Sequence, residues 1–308
     1  MVASPILLLI FNRPEETNKV FLEIRKQRPR KLFIAADGPR NNSLSDIQQC
    51  TEAQKIFTLI DWECELRTLV QDTNLGCGQA PATAITWFFQ NVEYGIILED
   101  DCLPNASFFE YCDLLLLKYL HYDKIMMISG TSYQSEQLNS VSYYFSKYPH
   151  MWGWASWRRA WKHYNYSFDS EDEITRKTVL KKTFRHRYEQ LFWEKNLDMI
   201  IKGFNTWDYQ WMYWIWKNEG VCITPWKNMI SNIGFGVKAT HTHDTCSFQS
   251  QMKTKKVSSL VHPAKIVINE KADNYERTNI LIGSRASHYC NKLRLITKRV
   301  VKFILLGK

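Results

Sequence analysis

The sequence contains no apolar run long enough to cross a lipid bilayer, for which about 18 apolar residues are needed. The apolar stretch at residues 6–11 is far shorter, and it lacks the basic start and the small-residue cleavage site of a secretory signal. We therefore expect residues 6–11 to form a buried strand, and we expect the protein to remain in the cytoplasm.

Paired cysteines are also missing. The eight cysteines include no Cys-x-x-Cys pair, so the close ligand pairs of a zinc ribbon are absent. Scattered cysteines in a chain of 308 residues are typical of free thiols. The sequence also has no internal repeat and no low-complexity or Pro/Ser-rich linker, which favours one continuous fold.

Acidic residues are outnumbered, with 31 Asp and Glu against 40 Lys and Arg and a net charge of +9. The sequence nevertheless carries no zinc finger, RRM signature or basic zipper, and we expect no nucleic-acid partner. Much of the excess lies at residues 285–308, where seven basic residues occur and no acidic one.

That C-terminal segment has the pattern of a basic amphipathic helix. Its apolar residues recur at spacings of four and three, at Tyr289, Leu293, Ile296, Val300 and Phe303. Such a helix suits an anionic membrane surface, which predicts peripheral attachment at the inner face of the plasma membrane. The alternative is a C-terminal helix that packs on the core with its basic side in solvent.

Short apolar runs alternate with helical patterns through the first half of the chain. The predicted strands cover residues 5–11, 31–36, 65–70, 94–99 and 125–129. The predicted helices cover residues 15–26, 46–59, 79–90 and 106–120. Strands separated by helices of this length indicate an α/β fold with a mostly parallel sheet, and such sheets bind ligands at the carboxyl ends of their strands.

The loops after these strands are polar or glycine-rich. Asn12 and Arg13 follow the first strand, Asp37 the second and Gly76 the third. Glycine permits a ligand to approach the backbone closely. Asp37 is a candidate hydrogen-bond acceptor for uracil or ribose, although Asp-Gly-Pro is also a common turn sequence.

Three consecutive carboxylates, Glu99-Asp100-Asp101, end the fourth strand. They repel one another, and a divalent cation would remove that cost. Mg²⁺ and Mn²⁺ suit such a site, because a hard cation of this kind takes one or two carboxylates together with substrate phosphate oxygens. The alternative is a solvated acidic turn before Pro104.

Tryptophan is concentrated in the second half of the chain, with ten of the 12 between residues 152 and 226. Indole faces stack on the apolar faces of sugar rings, which suits a carbohydrate-binding cleft. The alternative is that these residues belong to the core. The candidates for the cleft are Trp152, Trp154, Trp207 and Trp211.

With these motifs the chain resembles the GT-A glycosyltransferases, in the branch that contains N-acetylglucosaminyltransferase I and the protein O-mannose N-acetylglucosaminyltransferases. The resemblance runs from about Ile6 to His243 in matching order. Its most specific part is Glu99-Asp100-Asp101 followed by Phe108-Phe109-Glu110-Tyr111. Further matching segments are residues 9–13, 36–38, 152–154, 207–208 and 234–243.

The resemblance implies a nucleoside-diphosphate-sugar donor, with UDP the expected nucleotide, and a Mn²⁺ or Mg²⁺ ion. In this pattern Asp101 is the direct metal ligand, while Glu99 and Asp100 hold ribose or the donor sugar. The first strand of the pattern contacts the nucleotide, which assigns donor binding to Phe11, Asn12 and Arg13.

The resemblance also implies an inverting transfer in which Asp208 is the catalytic base. Here Tyr209 and Gln210 follow Asp208, where the family has another acid. The alternative is that Asp208 caps a helix at residues 209–218, and both roles are compatible in one side chain. Glu194 is a second candidate base, although its position is typical of a surface helix. His241 and His243 are candidates for donor or metal binding, with a polar loop as the alternative.

Together these features predict a GT-A-like α/β enzyme. Residues 1–130 would bind the nucleotide sugar, residues 131–284 the acceptor, and residues 285–308 form the basic helix. The expected reaction is metal-dependent transfer of a hexosyl or N-acetylhexosaminyl group to a glycan or glycolipid in surface polysaccharide assembly. The alternatives are a nucleotidyltransferase, although the acids at residues 15–16 would repel a triphosphate, and a non-catalytic carbohydrate-binding protein.

Overall fold

The computed structural model describes residues 2–236 and 248–282. The strands within these residues, β1 to β10 in chain order, are Ile6–Ile10, Lys31–Ala36, Glu65–Val70, Tyr94–Glu99, Cys102–Pro104, Ile125–Ser129, Tyr143–Ser146, Trp154–Trp157, Val221–Pro225 and Ile230–Asn232. The α-helices, α1 to α9, are Pro14–Gln27, Leu44–Gln54, Gly76–Asn91, Ala106–Lys118, Arg158–Trp161, Glu173–Thr183, Arg187–Ile201, Asp208–Lys217 and Glu270–Glu276.

Eight of the described strands form one sheet in the order β3-β2-β1-β4-β8-β6-β9-β7. The pairs β3-β2, β2-β1, β1-β4 and β6-β9 are parallel, whereas β8 and β7 run antiparallel to their neighbours. β5 and β10 form a separate antiparallel pair. The predicted fold class, an α/β fold with a mostly parallel sheet flanked by helices, is confirmed.

The sheet carries apolar cores on both faces, which is why its central strands are continuous apolar runs. Every residue of β1 is buried. Leu7 and Leu9 belong to one core, which α3, α7 and α8 cover, and Leu8 and Ile10 belong to the other, which α1 and α4 cover. The alternation of these residues assigns successive side chains to opposite faces of the sheet. Because β3, β2, β1 and β4 are parallel, their carboxyl ends lie at one common edge.

The strand β8 is the main feature that the sequence analysis did not anticipate. It lies antiparallel between β4 and β6, with Trp154 opposite both Ile97 and Ser129. All four of its residues are buried. Because β8 belongs to the aromatic second half of the chain, that half is joined to the first half within one sheet.

The predicted bounds of β2, β3, β4 and β6 are confirmed without change. The predicted helix at residues 46–59 is wrong in extent, because α2 ends at Gln54 and a 3₁₀ helix, Lys55–Leu59, follows. The proposed helix at residues 285–308 lies outside the described residues. Within the described part of the chain, every helix is too short or too polar to span a bilayer.

Helix α9 is anchored against β7 by buried polar contacts. The N–H group of Asn269, the cap residue, donates to the Phe145 carbonyl at 2.8 Å. Asp273 accepts hydrogen bonds from Ser146 Oγ at 2.6 Å and from the Lys147 N–H group at 3.3 Å. Burial raises the pKa of Asp273 to about 7, although its contacts with Ser146 and Lys147 oppose the shift.

Asp273 should therefore make stability depend on pH. Its pKa rises from 3.8 to about 7 on folding, so the folded protein keeps a proton that the unfolded chain releases in this interval. The Asp273 contribution to the free energy of unfolding is then greatest below about pH 4 and declines as the pH rises towards 7. The variant Asp273→Asn has no carboxyl group at this position and cannot titrate there.

Urea unfolding of both proteins should therefore show wild type losing about 3 kcal/mol of stability relative to the variant between about pH 4 and pH 7. A difference that is constant with pH would contradict the assignment.

Candidate active site

The carboxyl ends of β1, β2, β3 and β4 open into a cavity of about 970 Å³. This volume lies in the range of cofactor and substrate sites in proteins. Residues from the second half of the chain line the same cavity, including Tyr133, His150 and Asn205. The sequence-derived candidates on its walls are Phe11, Arg13, Asp37, Gly76, Glu99, Asp100, Asp101, Trp152, Trp207 and Asp208.

The acidic cluster at the end of β4 is held by the loop after β1. Asp100 accepts a hydrogen bond from the Phe11 N–H group at 3.2 Å. Arg13 Nη1 lies 2.5 Å from Asp101 Oδ2 and 3.5 Å from Asp100 Oδ1. Arg13 is the residue immediately before α1, so the Pro14 start of that helix fixes its position. The predicted convergence of these two loops is therefore present in the structure.

The cluster brings three carboxyl groups together with one cation, Arg13, and this crowding disfavours their charged forms. Burial raises the pKa of Glu99 well above its usual range, and the carboxylates of Asp101, Asp100 and Asp208 raise it further. The pKa of Asp100 is raised by burial and then by Asp101, with Arg13 opposing. A cation at this position would favour the charged form of these groups.

The donor set fits a hard divalent ion in part. Carboxylate oxygens are the ligands that Mg²⁺ and Mn²⁺ take, and these ions complete their coordination with phosphate oxygens and water. Among the described residues, no three His, Cys, Asp or Glu side chains converge as a complete metal cage. The cluster therefore suits an ion that is coordinated partly by the protein and partly by a bound ligand. Such an ion would bind beside the Arg13 guanidinium, which already contacts Asp101.

The residues just after β10 pack against Asp101. The Ile233 N–H group donates to the Asp101 carbonyl at 2.8 Å. A Cβ atom on Gly234 would collide with the Asp101 side chain, so the backbone there approaches more closely than any other residue would permit. The segment that contains the candidates His241 and His243 follows, and it lies outside the described residues.

Asp37 organises the loop that follows β3. Its carboxylate accepts hydrogen bonds from the N–H groups of Gly38, Leu75 and Gly76, at 2.9, 2.8 and 3.1 Å. Asn74 Nδ2 donates to it at 2.8 Å. Burial raises the pKa of Asp37, although these N–H groups oppose the shift. These contacts hold the loop after β3 in place, and Asp37 also lines the cavity, so its contact with uracil or ribose stays a prediction.

The same loop contacts the segment that precedes α8. Gly76 has a φ of +83°, and a Cβ atom there would lie 2.7 Å from Asn205 Nδ2. The Cys77 thiol donates to the Asn205 carbonyl at 3.1 Å. Glycine is thus required both for the left-handed backbone and for close packing. Through Asn205, which is three residues before Asp208, the loop after β3 lies close to the start of α8.

Asp208 is the first residue of α8, one position later than a helix cap. Its Oδ1 accepts hydrogen bonds from its neighbour's N–H group, Tyr209 N, at 2.8 Å and from the Thr206 hydroxyl. The two hydrogen bonds described for the Asp208 side chain both go to Oδ1. Asp208 thus fixes the start of α8 and also lines the cavity.

Four candidate residues lie away from the cavity walls. Asn12 is one of them, because its side chain donates to Asp46 Oδ1 at 2.8 Å and ties the loop after β1 to α2. Trp154 and Trp211 are both 0% exposed and pack among other indoles, so they present no face to an acceptor. Glu194 pairs with Lys177 at 3.1 Å on the surface of α7. The core interpretation of Trp154 and Trp211 is the one the structure supports.

The cavity walls also include polar residues that the sequence analysis did not predict, among them Arg40, Tyr133 and His150. Arg40 pairs with Asp46 and lies with its guanidinium 5.7 Å from the Phe11 ring centroid. Tyr133 and His150 face each other edge-on, with ring centroids 4.9 Å apart. Arg40 follows the Asp-Gly-Pro turn, which was the one available signal. Nothing in the local sequence marks Tyr133 or His150.

Neither protein-family models nor curated proteins match the sequence. Solved structures give distant likenesses. One is a mannosyltransferase from Pyrobaculum calidifontis in complex with GDP-mannose and Mn²⁺, with 10% identity, a TM-score of 0.36, and 71% of this chain and 70% of that chain covered. The apo UDP-glucose pyrophosphorylase has 11% identity and a TM-score of 0.38, with 76% and 93% covered. HddC from Yersinia pseudotuberculosis has 8% identity and a TM-score of 0.31, with 56% and 85% covered. These likenesses are too distant to assign a reaction to this chain.

Proposed function

We propose that the protein is a metal-dependent, inverting glycosyltransferase that uses a nucleoside-diphosphate sugar, with UDP the expected nucleotide. The observation that carries this proposal is the shared cavity. It combines an acidic cluster at the carboxyl edge of a parallel sheet with Asp208 and an aromatic wall from the second half of the chain. An enzyme that joins a charged donor to a sugar acceptor needs both kinds of surface in contact with one space.

The donor would lie along the loops after β1, β2 and β3. Phe11 and Arg40 line the part of the cavity formed by the loops after β1 and β2. In the loop after β3, Gly76 would permit the donor to approach the backbone closely. Asp101, with Glu99 and Asp100 beside it, would hold Mn²⁺ or Mg²⁺ together with the diphosphate. The bound ion would neutralise negative charge on the departing diphosphate.

The acceptor would approach from the side of Trp152 and Trp207. Asp208 would accept the proton of the attacking hydroxyl as the new bond forms between the acceptor oxygen and the anomeric carbon. The bond between that carbon and the diphosphate breaks on the opposite face, and its electron pair leaves with the diphosphate. Attack opposite to the leaving group inverts the anomeric centre.

The acceptor and the location of the reaction are further parts of the proposal. A glycan or glycolipid of surface polysaccharide would fit the indole-lined wall. The basic segment at residues 285–308 would hold the enzyme at an anionic inner membrane surface. His241 and His243 remain candidates for donor or metal contacts, because an imidazole can bind either a diphosphate or a metal ion.

A nucleotidyltransferase is the main alternative, and product analysis separates it from the proposal. Purified protein is incubated with Mn²⁺ and a panel of sugar nucleotides, and separately with nucleoside triphosphates and sugar 1-phosphates. We expect release of nucleoside diphosphate in the first reaction and no pyrophosphate in the second. Pyrophosphate release would show a nucleotidyltransferase. Inactivity in both reactions, together with glycan binding that is insensitive to metal, would show a carbohydrate-binding protein.

A further inference from the structure

His150 is a buried imidazole on the wall of the cavity. It is 7% exposed and lies among the residues that line the cavity, beside Trp152 and Tyr133. The Tyr133 ring meets the His150 ring edge-on and also packs edge-on against Trp152, with centroids 6.3 Å apart. The His150 N–H group of the backbone donates to Ser129 Oγ at 3.2 Å. The imidazole is therefore fixed on the side of the cavity that comes from the second half of the chain.

A buried carboxylate lies behind this imidazole. Glu276 Oε1 is 3.0 Å from His150 Nε2, and Glu276 is 0% exposed. Removing a carboxylate from water is costly unless it gains a polar or charged partner, and His150 is in the position to be that partner. The neighbouring cation Arg277 lies 4.0 Å from a different acid, Glu189.

The fold places Glu276 by a specific route. Asp273 lies one helical turn before Glu276, so both project from the same side of α9. Asp273 is held by Ser146 and Lys147, at the end of β7. His150 follows three residues after Lys147. The contacts of Asp273 with Ser146 and Lys147 thus set the position of Glu276 relative to His150.

We propose that His150 is an acceptor-binding residue that Glu276 holds in one tautomer. His150 Nε2 is the ring nitrogen that lies 3.0 Å from Glu276 Oε1, and within the described part of the chain both atoms are buried without another hydrogen-bond partner, although they are not aligned as a hydrogen bond in the structure. A small rotation of either side chain would let Nε2–H donate to the carboxylate, which would leave Nδ1 as a hydrogen-bond acceptor. Nδ1 then accepts a hydrogen bond from a hydroxyl of the acceptor sugar beside Trp152. This inference rests on the proposed function and adds the class of ligand that this wall recognises, a polyhydroxylated ring.

His150 has a different task from Asp208. Asp208 would take the proton of the reacting hydroxyl, whereas His150 would bind a second hydroxyl and orient the ring. Loss of one such hydrogen bond weakens acceptor binding by about tenfold, with donor binding unaffected. A residue with a purely structural role would instead alter stability without selecting between the two ligands.

The first test is the tautomer of His150 itself. Two-bond ¹H–¹⁵N spectra of protein labelled in histidine nitrogen, assigned with His150→Gln, report which ring nitrogen carries the proton. We expect the proton on Nε2 in wild type, and a changed His150 signal in Glu276→Gln. Glu189→Gln is the matched control, because Glu189 is also a buried acid but is paired with Tyr148, whereas Glu276 lies beside His150. A proton on Nδ1, or a His150 signal that Glu276→Gln leaves unchanged, would overturn the proposal.

The second test measures ligand binding. Affinities for p-nitrophenyl glycosides of glucose, galactose and N-acetylglucosamine are measured by ligand-observed NMR with UDP and Mn²⁺ present, and UDP affinity is measured on the same samples. We expect His150→Gln to weaken glycoside binding by about tenfold with UDP affinity retained, Glu276→Gln to show a smaller loss, and Glu189→Gln to match wild type. Equal glycoside affinities in wild type and His150→Gln, or no glycoside binding to wild type, would refute this role. Failure of UDP to bind with metal would instead refute the proposed function, independently of the tautomer.

Discussion

The variant Asp208→Asn should transfer sugar more slowly than wild type by a factor on the order of 10² to 10⁴, with donor affinity almost unchanged. The amide oxygen of Asn can still accept hydrogen bonds from Tyr209 N and the Thr206 hydroxyl, as Oδ1 of Asp208 does. The start of α8 should therefore be preserved. The amide cannot accept a proton from the attacking hydroxyl, so the loss should fall on turnover.

This result is checked by initial rates at saturating donor and by calorimetric titration with nucleoside diphosphate. Glu194→Gln is the control, because Glu194 is on α7 and pairs with Lys177 away from the cavity walls. It should keep nearly normal turnover. If Asp208→Asn transfers sugar at close to the wild-type rate, the base is another group.

The variant Asp101→Ala should lose the dependence of nucleoside-diphosphate binding on Mn²⁺. Removing this carboxylate removes the proposed direct ligand of the ion. It also releases Arg13, whose Nη1 lies 2.5 Å from Asp101 Oδ2, and the freed guanidinium could then bind phosphate without metal. The informative quantity is therefore the ratio of affinities with and without Mn²⁺, rather than either affinity alone. We expect this ratio to fall to about one.

Calorimetry with Mn²⁺ and with a chelator gives this ratio, and thermal unfolding shows that the fold persists. Asp61→Ala is a suitable control, because Asp61 forms an exposed pair with Arg25 and is distant from the cavity walls. That variant should keep the wild-type ratio. An unchanged ratio in Asp101→Ala would show that Asp101 does not hold the ion.

The two expected effects separate the two halves of the cavity. Under the proposed function, the Asp101 variant should alter donor binding, and the Asp208 variant should alter how fast the bound donor reacts. Both residues belong to one group of interacting charges, since the Asp208 carboxylate contributes to the raised pKa of Glu99. A double variant should therefore not show simply additive losses.

The sequence by itself determined the parallel part of the sheet and the edge at which the cavity opens. All residues of β1, all of β2 except its first and all of β4 except its two end residues are buried. Strands that are buried on both faces appear in the sequence as continuous apolar runs bounded by turn residues. Because the carboxyl ends of parallel strands share an edge, the positions of Arg13, Asp37 and Glu99 on one cavity could be predicted without coordinates.

Only the tertiary structure decided which aromatic residues form the core and which line the cavity. Trp152 and Trp154 are two residues apart, yet Trp152 reaches the cavity and Trp154 is fully buried within β8. Local composition cannot separate them, because residues two apart on a strand would share a face, and the difference arises only because Trp152 precedes β8, whose position depends on pairing with β4 and β6. The proximity of His150 and Glu276 has the same origin. It depends on how α9 docks against β7, and contacts between residues so distant along the chain leave no local pattern in the sequence.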